Sequence, residues 1–213
     1  MNKKVWLILL LAAGILLSYS TMSFHDGMFG YYGNQRGWYF GKMMGGGGGM
    51  MGGYSGQYSI VDDKTAEADK SSSLSNAAVD KTNNTVAYSG KNVKIVMLAG
   101  PESGDEKFVV GGLVNPTLKI SKGVNVILEM INEDEGMPHG VVVTETPPPD
   151  ADMAMMQVNL YPGALVRPVP RAKDGKYPKN EAFFKADQSG TYYYLCQYPG
   201  HAEEGMYGKF IIE

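Results

Sequence analysis

The chain of 213 residues is long enough for one domain with appendages, and its 19% charged residues leave a net charge of only −3. It carries no basic stripe or Lys/Arg block, so nucleic-acid binding is not expected. A single cysteine excludes an intramolecular disulfide, and the three histidines (His25, His139 and His201) limit the metal chemistry available to the chain.

The N-terminus has the features of a membrane-targeting segment. Two lysines precede an apolar run over residues 5–17, and uncharged residues continue to Phe24. A spanning helix needs about 20 residues, so residues 1–24 are predicted to form a hydrophobic helix retained as a membrane anchor. A removed signal peptide is the alternative, because Ser18-x-Ser20 resembles a cleavage site. In both cases the lysines favour the inside, and the remainder is expected outside the cytoplasm.

Residues 25–85 are predicted to form a flexible linker. The first part is rich in glycine, with five in a row at 45–49, and glycine at this density loses too much backbone entropy to pack. The second part, residues 60–85, is polar and charged, and Asn83 there opens an Asn-x-Thr sequon that suits an external surface. The first part also contains thioether side chains that are soft ligands for Cu(I), although an incidental linker is the favoured interpretation. These methionines are Met28, Met43, Met44, Met50 and Met51.

From residue 86 to residue 213 the chain is predicted to fold as one domain of ordinary size. Short runs of β-branched and aromatic residues, bounded by Gly, Pro and Asn, predict strands. These runs cover residues 93–98, 108–110, 118–120, 124–130, 140–144, 191–195 and 209–212. Because no long helical period interrupts them, the predicted fold class is an all-β sandwich.

Residues 145–185 are predicted to form a long irregular segment. Prolines are frequent throughout it, including three in a row at 147–149. Loops of this length are usually functional or shielding. We expect the segment to wrap the domain, with a short helical turn near Ala154.

The C-terminal part of the chain contains the residues that carry chemistry. Cys196, His201 and Met206 follow the spacing Cys-x4-His-x4-Met between two predicted strands. A loop of this kind can fold over a metal and offer thiolate, imidazole and thioether together. A fourth ligand is His139, at the start of a predicted strand that can neighbour the Cys196 strand in a sandwich.

The ligand types predict the metal. Two histidines and a cysteine thiolate, with a weak axial methionine, form the blue-copper electron-transfer site. Zinc is the competing metal, but structural zinc sites usually contain more thiolates and thioether is not among its usual ligands. Taken singly, Cys196 and Met206 are equally compatible with core positions and His139 with a surface position; their joint spacing favours copper.

The residue counts argue against an enzyme. A binuclear copper-A site needs two cysteines, and a multicopper oxidase needs many more histidines than the three present. Nothing indicates a substrate cleft for a cysteine-nucleophile hydrolase, so no small-molecule substrate is expected.

The stretch from Gly190 to Ile212 resembles the last two strands and copper loop of the cupredoxins, the type 1 blue-copper proteins. Together with the N-terminal hydrophobic segment, the Gly-rich linker and the Pro138-His139 pair, it is most similar to the sulfocyanins and more distantly to the rusticyanins. The resemblance covers residues 86–213. It implies a Greek-key β-sandwich with one type 1 copper held by His139, Cys196, His201 and Met206.

The resemblance also implies partners and a place of action. It indicates electron transfer on the outer face of the cell membrane, in an acidic milieu, between respiratory components and towards a terminal oxidase. Many cupredoxins have a polar residue after the first histidine ligand, whereas this chain has Gly140, whose backbone N–H alone can donate towards the cysteine sulfur. Such outer contacts tune the metal.

We expect outer-sphere electron transfer through the ring edge of His201. The expected apolar surface around it consists of Met137, Pro138, Pro199, Ala202 and Met206. An extracytoplasmic copper storage or delivery protein, with the methionines of the linker collecting Cu(I), is the alternative function. Deletion of residues 27–59 discriminates the two, because delivery would fail and electron transfer would survive.

Overall fold

The computed structural model of the protein describes residues 58–148 and 160–213. Within these ranges one helix, α1 (Asp63–Ser73), and a short 3-10 turn, Glu102–Gly104, accompany a set of β-strands. In chain order the strands are β1 (Ser59–Asp62), β2 (Ala77–Asp80), β3 (Thr85–Tyr88), β4 (Asn92–Ala99), β5 (Phe108–Val110), β6 (Leu113–Val114), β7 (Thr117–Ile120), β8 (Asn125–Asn132), β9 (His139–Thr144), β10 (Leu160–Val169), β11 (Lys176–Lys185), β12 (Gly190–Cys196) and β13 (Tyr207–Ile212).

The strands form two sheets that enclose the main hydrophobic core. The first sheet has the order β1-β11-β8-β4-β5-β6, and the second has the order β10-β9-β12-β13-β7-β3-β2. Most neighbours are antiparallel, whereas β4–β8, β13–β7 and β3–β7 are parallel pairs. The main core cluster takes side chains from strands of both sheets. The predicted all-β sandwich is therefore confirmed.

All seven strand runs predicted from residue 93 onward are confirmed as β4, β5, β7, β8, β9, β12 and β13. The burial of these strands explains why their hydrophobic pattern predicted them. In β12, Tyr192 and Tyr194 are buried while Thr191 is exposed, as expected for a strand with one face on the core. Strand β9 is buried along its whole length, and the three valines at its centre, residues 141–143, form a continuous apolar run.

The prediction that residues 60–85 continue a flexible linker is wrong. They form most of β1, all of α1 and β2, and the start of β3, so the folded domain begins near residue 58 rather than 86. Asp62 caps α1 by accepting a hydrogen bond from the Thr65 N–H at 3.0 Å. The exposed Asn83 lies in the turn between β2 and β3; its modification stays a prediction.

Helix α1 docks on the first sheet mainly through charge, which explains why hydrophobic periodicity did not reveal it. Its only buried apolar residue is Ala66. Asp69 accepts hydrogen bonds from Lys94 at 2.8 Å and from Lys179 at 2.7 Å. Both lysines also approach the buried carboxylate of Glu129, at 3.3 and 3.0 Å. We call these four side chains the α1 clamp.

The prediction of an irregular segment over residues 145–185 is wrong for the part described after residue 160. That part contains β10 and β11, each of ten residues. Strand β10 lies at a sheet edge, and its pairing with β9 shifts register where Pro162 and Pro168 fall. Pro178 of β11 pairs with Ile60 of β1 and lies one residue before the pairing of β11 with β8 begins at Lys179. Edges and bulges are where strands tolerate proline, which lacks the N–H that a ladder needs.

Several predictions lie outside the described residues. These are the anchor or signal segment at 1–24, the Gly/Met-rich linker up to residue 57 and the helical turn near Ala154. Within residues 58–148 and 160–213, no helix has the length and apolar character needed to cross a bilayer.

Candidate metal centre

Sheet pairing brings the two most distant candidate ligands together. Strands β9 and β12 are antiparallel neighbours, and Cys196 pairs with Val141. His139 begins β9, so it lies at the same end of the sheet as Cys196, where β12 ends. The chain then turns back through His201 into β13, which pairs with β12 on its other side. The predicted neighbourhood of His139 and Cys196 is thus present.

The donor atoms of three candidate ligands converge. Cys196 Sγ lies 3.6 Å from Nδ1 of His139 and 3.6 Å from Nδ1 of His201. The two Nδ1 atoms are 3.1 Å apart. All three residues are buried. Residue type and spacing predicted these ligands without their distances, and the fold supplies a compact triangle of two nitrogens and one sulfur.

Backbone hydrogen bonds close the loop that carries His201 and Met206. The His201 N–H donates to the Tyr198 carbonyl at 3.2 Å, and the Met206 N–H donates to the His201 carbonyl at 2.8 Å. The Cys196 N–H donates to the Met206 carbonyl at 3.0 Å. Met206 is fully buried and belongs to the same core cluster as Cys196. The fourth predicted ligand is therefore held beside the thiolate strand.

Burial keeps both imidazoles neutral, which is the form that binds metals. The pKa of His139 is lowered by burial, although the Asp134 carboxylate opposes this effect. The pKa of His201 is lowered by burial and by the neighbouring His139. Neither ring is therefore charged at neutral pH, so a metal does not have to displace a proton from an imidazolium.

Burial shifts the pKa of Cys196 in the opposite direction from those of the two histidines. Burial raises the pKa of the Cys196 thiol to about 11, while backbone hydrogen bonds with Gly140, Tyr198 and Gln197 act in the opposite direction. The Tyr198 N–H donates to Sγ at 3.5 Å. Gly140 thus contributes through its backbone, as expected. Its site leaves no room for more, because a Cβ there would lie 2.8 Å from the backbone nitrogen of Pro168 and 3.0 Å from Nε2 of Gln197.

The triangle fits a single metal ion. Three donors bound at about 2.0–2.3 Å in a trigonal arrangement lie about 3.5–3.8 Å apart, close to the separations of 3.6, 3.6 and 3.1 Å in this structure. Two imidazoles, one thiolate and a neighbouring thioether are the donor set of type 1 copper. Bound copper supplies a one-electron couple between Cu(I) and Cu(II).

Comparison with known proteins also indicates a copper-binding protein. Residues 113–213 match the model of the copper-binding proteins of the plastocyanin/azurin family. A rusticyanin of Acidithiobacillus ferrooxidans is 42% identical over 130 residues, which cover 61% of this chain and 81% of that protein. The chain belongs to the cupredoxins. It is a blue copper protein, and its His-Cys-His-Met group is consistent with one type 1 copper that carries single electrons.

Solved cupredoxin structures confirm the fold. A 1.27 Å structure of rusticyanin from Thiobacillus ferrooxidans matches with a TM-score of 0.65 and 33% identity, over 74% of this chain and 97% of that chain. In sequence, a rusticyanin of Acidithiobacillus ferridurans is 41% identical to this chain over 67% of the length of that rusticyanin. The finer likeness to sulfocyanins stays a prediction.

One enzyme is also similar to part of the chain, at a greater distance. A multicopper oxidase of Phaeosphaeria nodorum is 30% identical over 115 residues, which make up 16% of its length. The likeness is thus confined to a small part of that oxidase.

Three residues that shape the site were not predicted. Asp134 contacts the ring of His139, and Gln197 donates to the Val166 carbonyl at 2.7 Å across Gly140. Asn115 donates to the carbonyl of Gly205 in the copper-binding loop, the segment 197–206 between β12 and β13. Asp134 lies five residues before His139, between β8 and β9, and no motif in the sequence singles it out. No spacing rule reveals Asn115, because the bond it makes spans 90 residues.

Proposed function

We propose that this cupredoxin passes electrons between membrane respiratory components on the outer face of the cell, towards a terminal oxidase. The observation that carries the proposal is the buried triangle of His139, Cys196 and His201, which has donors for one metal and is closed by backbone hydrogen bonds. A site held in this way changes little between oxidation states. It suits a carrier that exchanges electrons without binding a substrate.

His201 is the proposed port for the electron. It lies on a loop whose residues Pro199, Glu203 and Glu204 are exposed, whereas His139 is enclosed at the start of β9. The ring of Tyr198 lies against His201 with centroids 4.7 Å apart. A partner that docks over this loop comes close to the metal ligand without entering the protein.

The surface around His201 differs in part from the one expected. Met137 and Pro138 are partly buried and Pro199 is exposed, so they fit an apolar docking face. Ala202 and Met206 are buried and do not belong to it. The smaller face is compatible with the brief, low-area contacts of electron-transfer partners.

The membrane location rests on the sequence. Residues 1–24 combine two lysines with an apolar run, and in this proposal they tether the copper domain to the outer face. The oxidase as acceptor comes from the likeness to sulfocyanins.

The copper site is tested first on the full chain loaded with Cu(II), by visible and electron paramagnetic resonance spectra. An intense thiolate-to-copper band with narrow hyperfine splitting is expected, and Cys196→Ala should abolish it. His25→Ala, which changes the one histidine outside the site, is the matched control and should leave both spectra unchanged. An ordinary cupric spectrum that survives Cys196→Ala would overturn the assignment of the ligands.

The partner is tested by reoxidation of the reduced full chain in the presence of oxygen. We expect slow reoxidation alone and fast reoxidation with membranes that contain a terminal oxidase. Pro199→Glu places a charge on the docking face and should slow the membrane-dependent rate while leaving the spectrum intact. Ile60→Glu, at an exposed position on β1, is the matched control. Sustained turnover of oxygen or nitrite without membranes would contradict the carrier function.

A further inference from the structure

A carboxylate lies behind one of the copper ligands. Oδ2 of Asp134 is 2.8 Å from Nε2 of His139, the ring nitrogen that points away from the donor triangle. The side chain of Asp134 is only 11% exposed, and His139 is fully buried. Because Nδ1 of the same ring faces Cys196 Sγ, the imidazole bridges the carboxylate and the metal position.

The position of Asp134 is set by its own contacts. Its Oδ1 accepts hydrogen bonds from the N–H groups of Gly136 at 2.6 Å and Met137 at 3.1 Å. Its N–H donates to Oδ1 of Asn132 at 3.0 Å, and its carbonyl accepts from the Ala172 N–H at 2.7 Å. One carboxylate oxygen is thus engaged by the backbone, which leaves Oδ2 directed at His139.

A neighbouring segment of the same chain leaves room for the Asp134 carboxylate. Gly100, directly after β4, has a positive φ of 58°, and a Cβ there would lie 2.6 Å from the Cβ of Asp134 and 2.8 Å from its Oδ2. Asn132, which is fully buried, donates through Nδ2 to the carbonyls of Met137 and Pro170 at 3.0 and 2.9 Å. The hydrogen bonds of Asp134 and Asn132 therefore hold the loop before His139 in place.

We propose that Asp134 is a positioning residue of the copper site, which holds His139 as the Nε2–H tautomer and strengthens Nδ1 as a donor to Cu(II). An acceptor at Nε2 selects the tautomer whose Nδ1 lone pair is available to a metal, and an anionic acceptor makes the ring a stronger base. Stronger donation favours Cu(II) over Cu(I). The inference rests on the copper site alone and is independent of the partners proposed above.

The two histidine ligands are therefore unequal. His139 is backed by a carboxylate, whereas His201 lies against the ring of Tyr198. In this arrangement His139 sets the affinity of the site for Cu(II), and His201 serves the passage of electrons.

The test compares Asp134→Asn with Glu135→Gln in the full chain. Both remove one negative charge, but Glu135 is exposed, and the carboxylate bonded to the His139 ring is that of Asp134. Loss of a contact of this kind typically weakens metal binding by about 10–100-fold, and we expect such a loss for Cu(II) in Asp134→Asn alone. If Cu(I) affinity is retained, each tenfold loss raises the reduction potential by about 59 mV.

A second measurement needs neither a variant nor copper. Nitrogen NMR of the metal-free wild-type chain, at a pH where the ring is neutral, should show His139 protonated at Nε2. An asparagine must use its single oxygen either for the Gly136 and Met137 N–H groups or for His139, so Asp134→Asn should shift the tautomer towards Nδ1–H.

Two results would overturn the proposal. One is a wild-type His139 that is protonated at Nδ1. The other is an Asp134→Asn variant whose Cu(II) affinity and potential change no more than those of Glu135→Gln, which would show that only the overall charge matters. The blue-copper spectrum tests the site itself, so failure of this proposal is distinguishable from failure of copper binding.

Discussion

Nδ2 of Asn115 donates a hydrogen bond to the carbonyl of Gly205 at 2.7 Å and so joins the turn before β7 to the copper-binding loop. Oδ1 of the same side chain accepts a bond from the Phe108 N–H at 3.0 Å. Asn115 has a φ of 45°, a left-handed conformation that asparagine tolerates better than most residues. The loop that carries His201 and Met206 is therefore fastened to the turn between β6 and β7, which contributes no ligand.

Replacement of Asn115 by aspartate should loosen this fastening. Aspartate keeps an acceptor for Phe108 but has no N–H for Gly205, so a partly buried carbonyl loses its partner. We expect the free energy of unfolding to fall by about 1–3 kcal/mol and the thiolate-to-copper band to shift, because Gly205 precedes Met206. Denaturant unfolding and visible spectra measure these effects. Asn125→Asp, which breaks an exposed bond to Asn92, should leave the band unchanged; equal effects of the two variants would contradict the assigned role.

The hydrophobic pattern predicted the part of the fold that packs by hydrophobic contact. Runs such as those of β4 and β12 are apolar on their core faces, and the ligands at the ends of β9 and β12 followed from residue type and spacing. Helix α1 was not predicted because it docks through Asp69 rather than through an apolar stripe. Strands β10 and β11 were not predicted because their prolines resemble loop residues. Only the pairing shows that Pro162 and Pro168 fall at register shifts of β10 and that Pro178 lies one residue before the pairing of β11 with β8 begins.

The second prediction concerns Gly140, next to the ligand His139. Gly140→Ala should destabilise the protein by about 1–3 kcal/mol through overpacking, because the new Cβ would press on the backbone of Pro168 and on Gln197. The copper spectrum should also change, since the Gly140 backbone bonds the Cys196 thiol. Gly112→Ala is the contrasting control: nothing lies within 4 Å of its Cβ position and its φ is 75°, so it should cost stability without moving the spectrum. An unchanged spectrum in Gly140→Ala would count against this role of Gly140.

The third prediction is a pH dependence of the α1 clamp. Burial raises the pKa of Asp69, but hydrogen bonds and charges from Lys179 and Lys94 outweigh it, and the pKa is lowered below its ordinary value of 3.8. A lowered carboxyl pKa contributes stability that is present above the unfolded-state value and is lost as pH falls through the folded-state value. The difference in unfolding free energy between wild type and Asp69→Asn should therefore be constant near neutral pH and shrink below about pH 4.

Chemical denaturation between pH 2 and pH 7 measures this difference. Glu181→Gln changes an exposed carboxyl of β11 outside the clamp and should not reproduce the large acid-sensitive difference. Hydrogen exchange of residues 63–73 should rise in Asp69→Asn, because α1 loses its principal contact with β4 and β11. A difference that grows in acid would contradict a lowered pKa of Asp69 in the folded state.

The last prediction concerns the proton that copper displaces. Burial raises the pKa of Cys196 to about 11, so the metal-free thiol is protonated at neutral pH, whereas lowered pKa values leave His139 and His201 neutral. Since a thiolate is the ligand, loading with Cu(II) at pH 7.5 should release about one proton. Titration calorimetry in two buffers of different ionisation enthalpy measures the release, and Cys196→Ala should show almost none. A wild-type value near zero would mean that the metal-free protein already holds a thiolate, and a value near three would mean that both histidines are charged before copper binds.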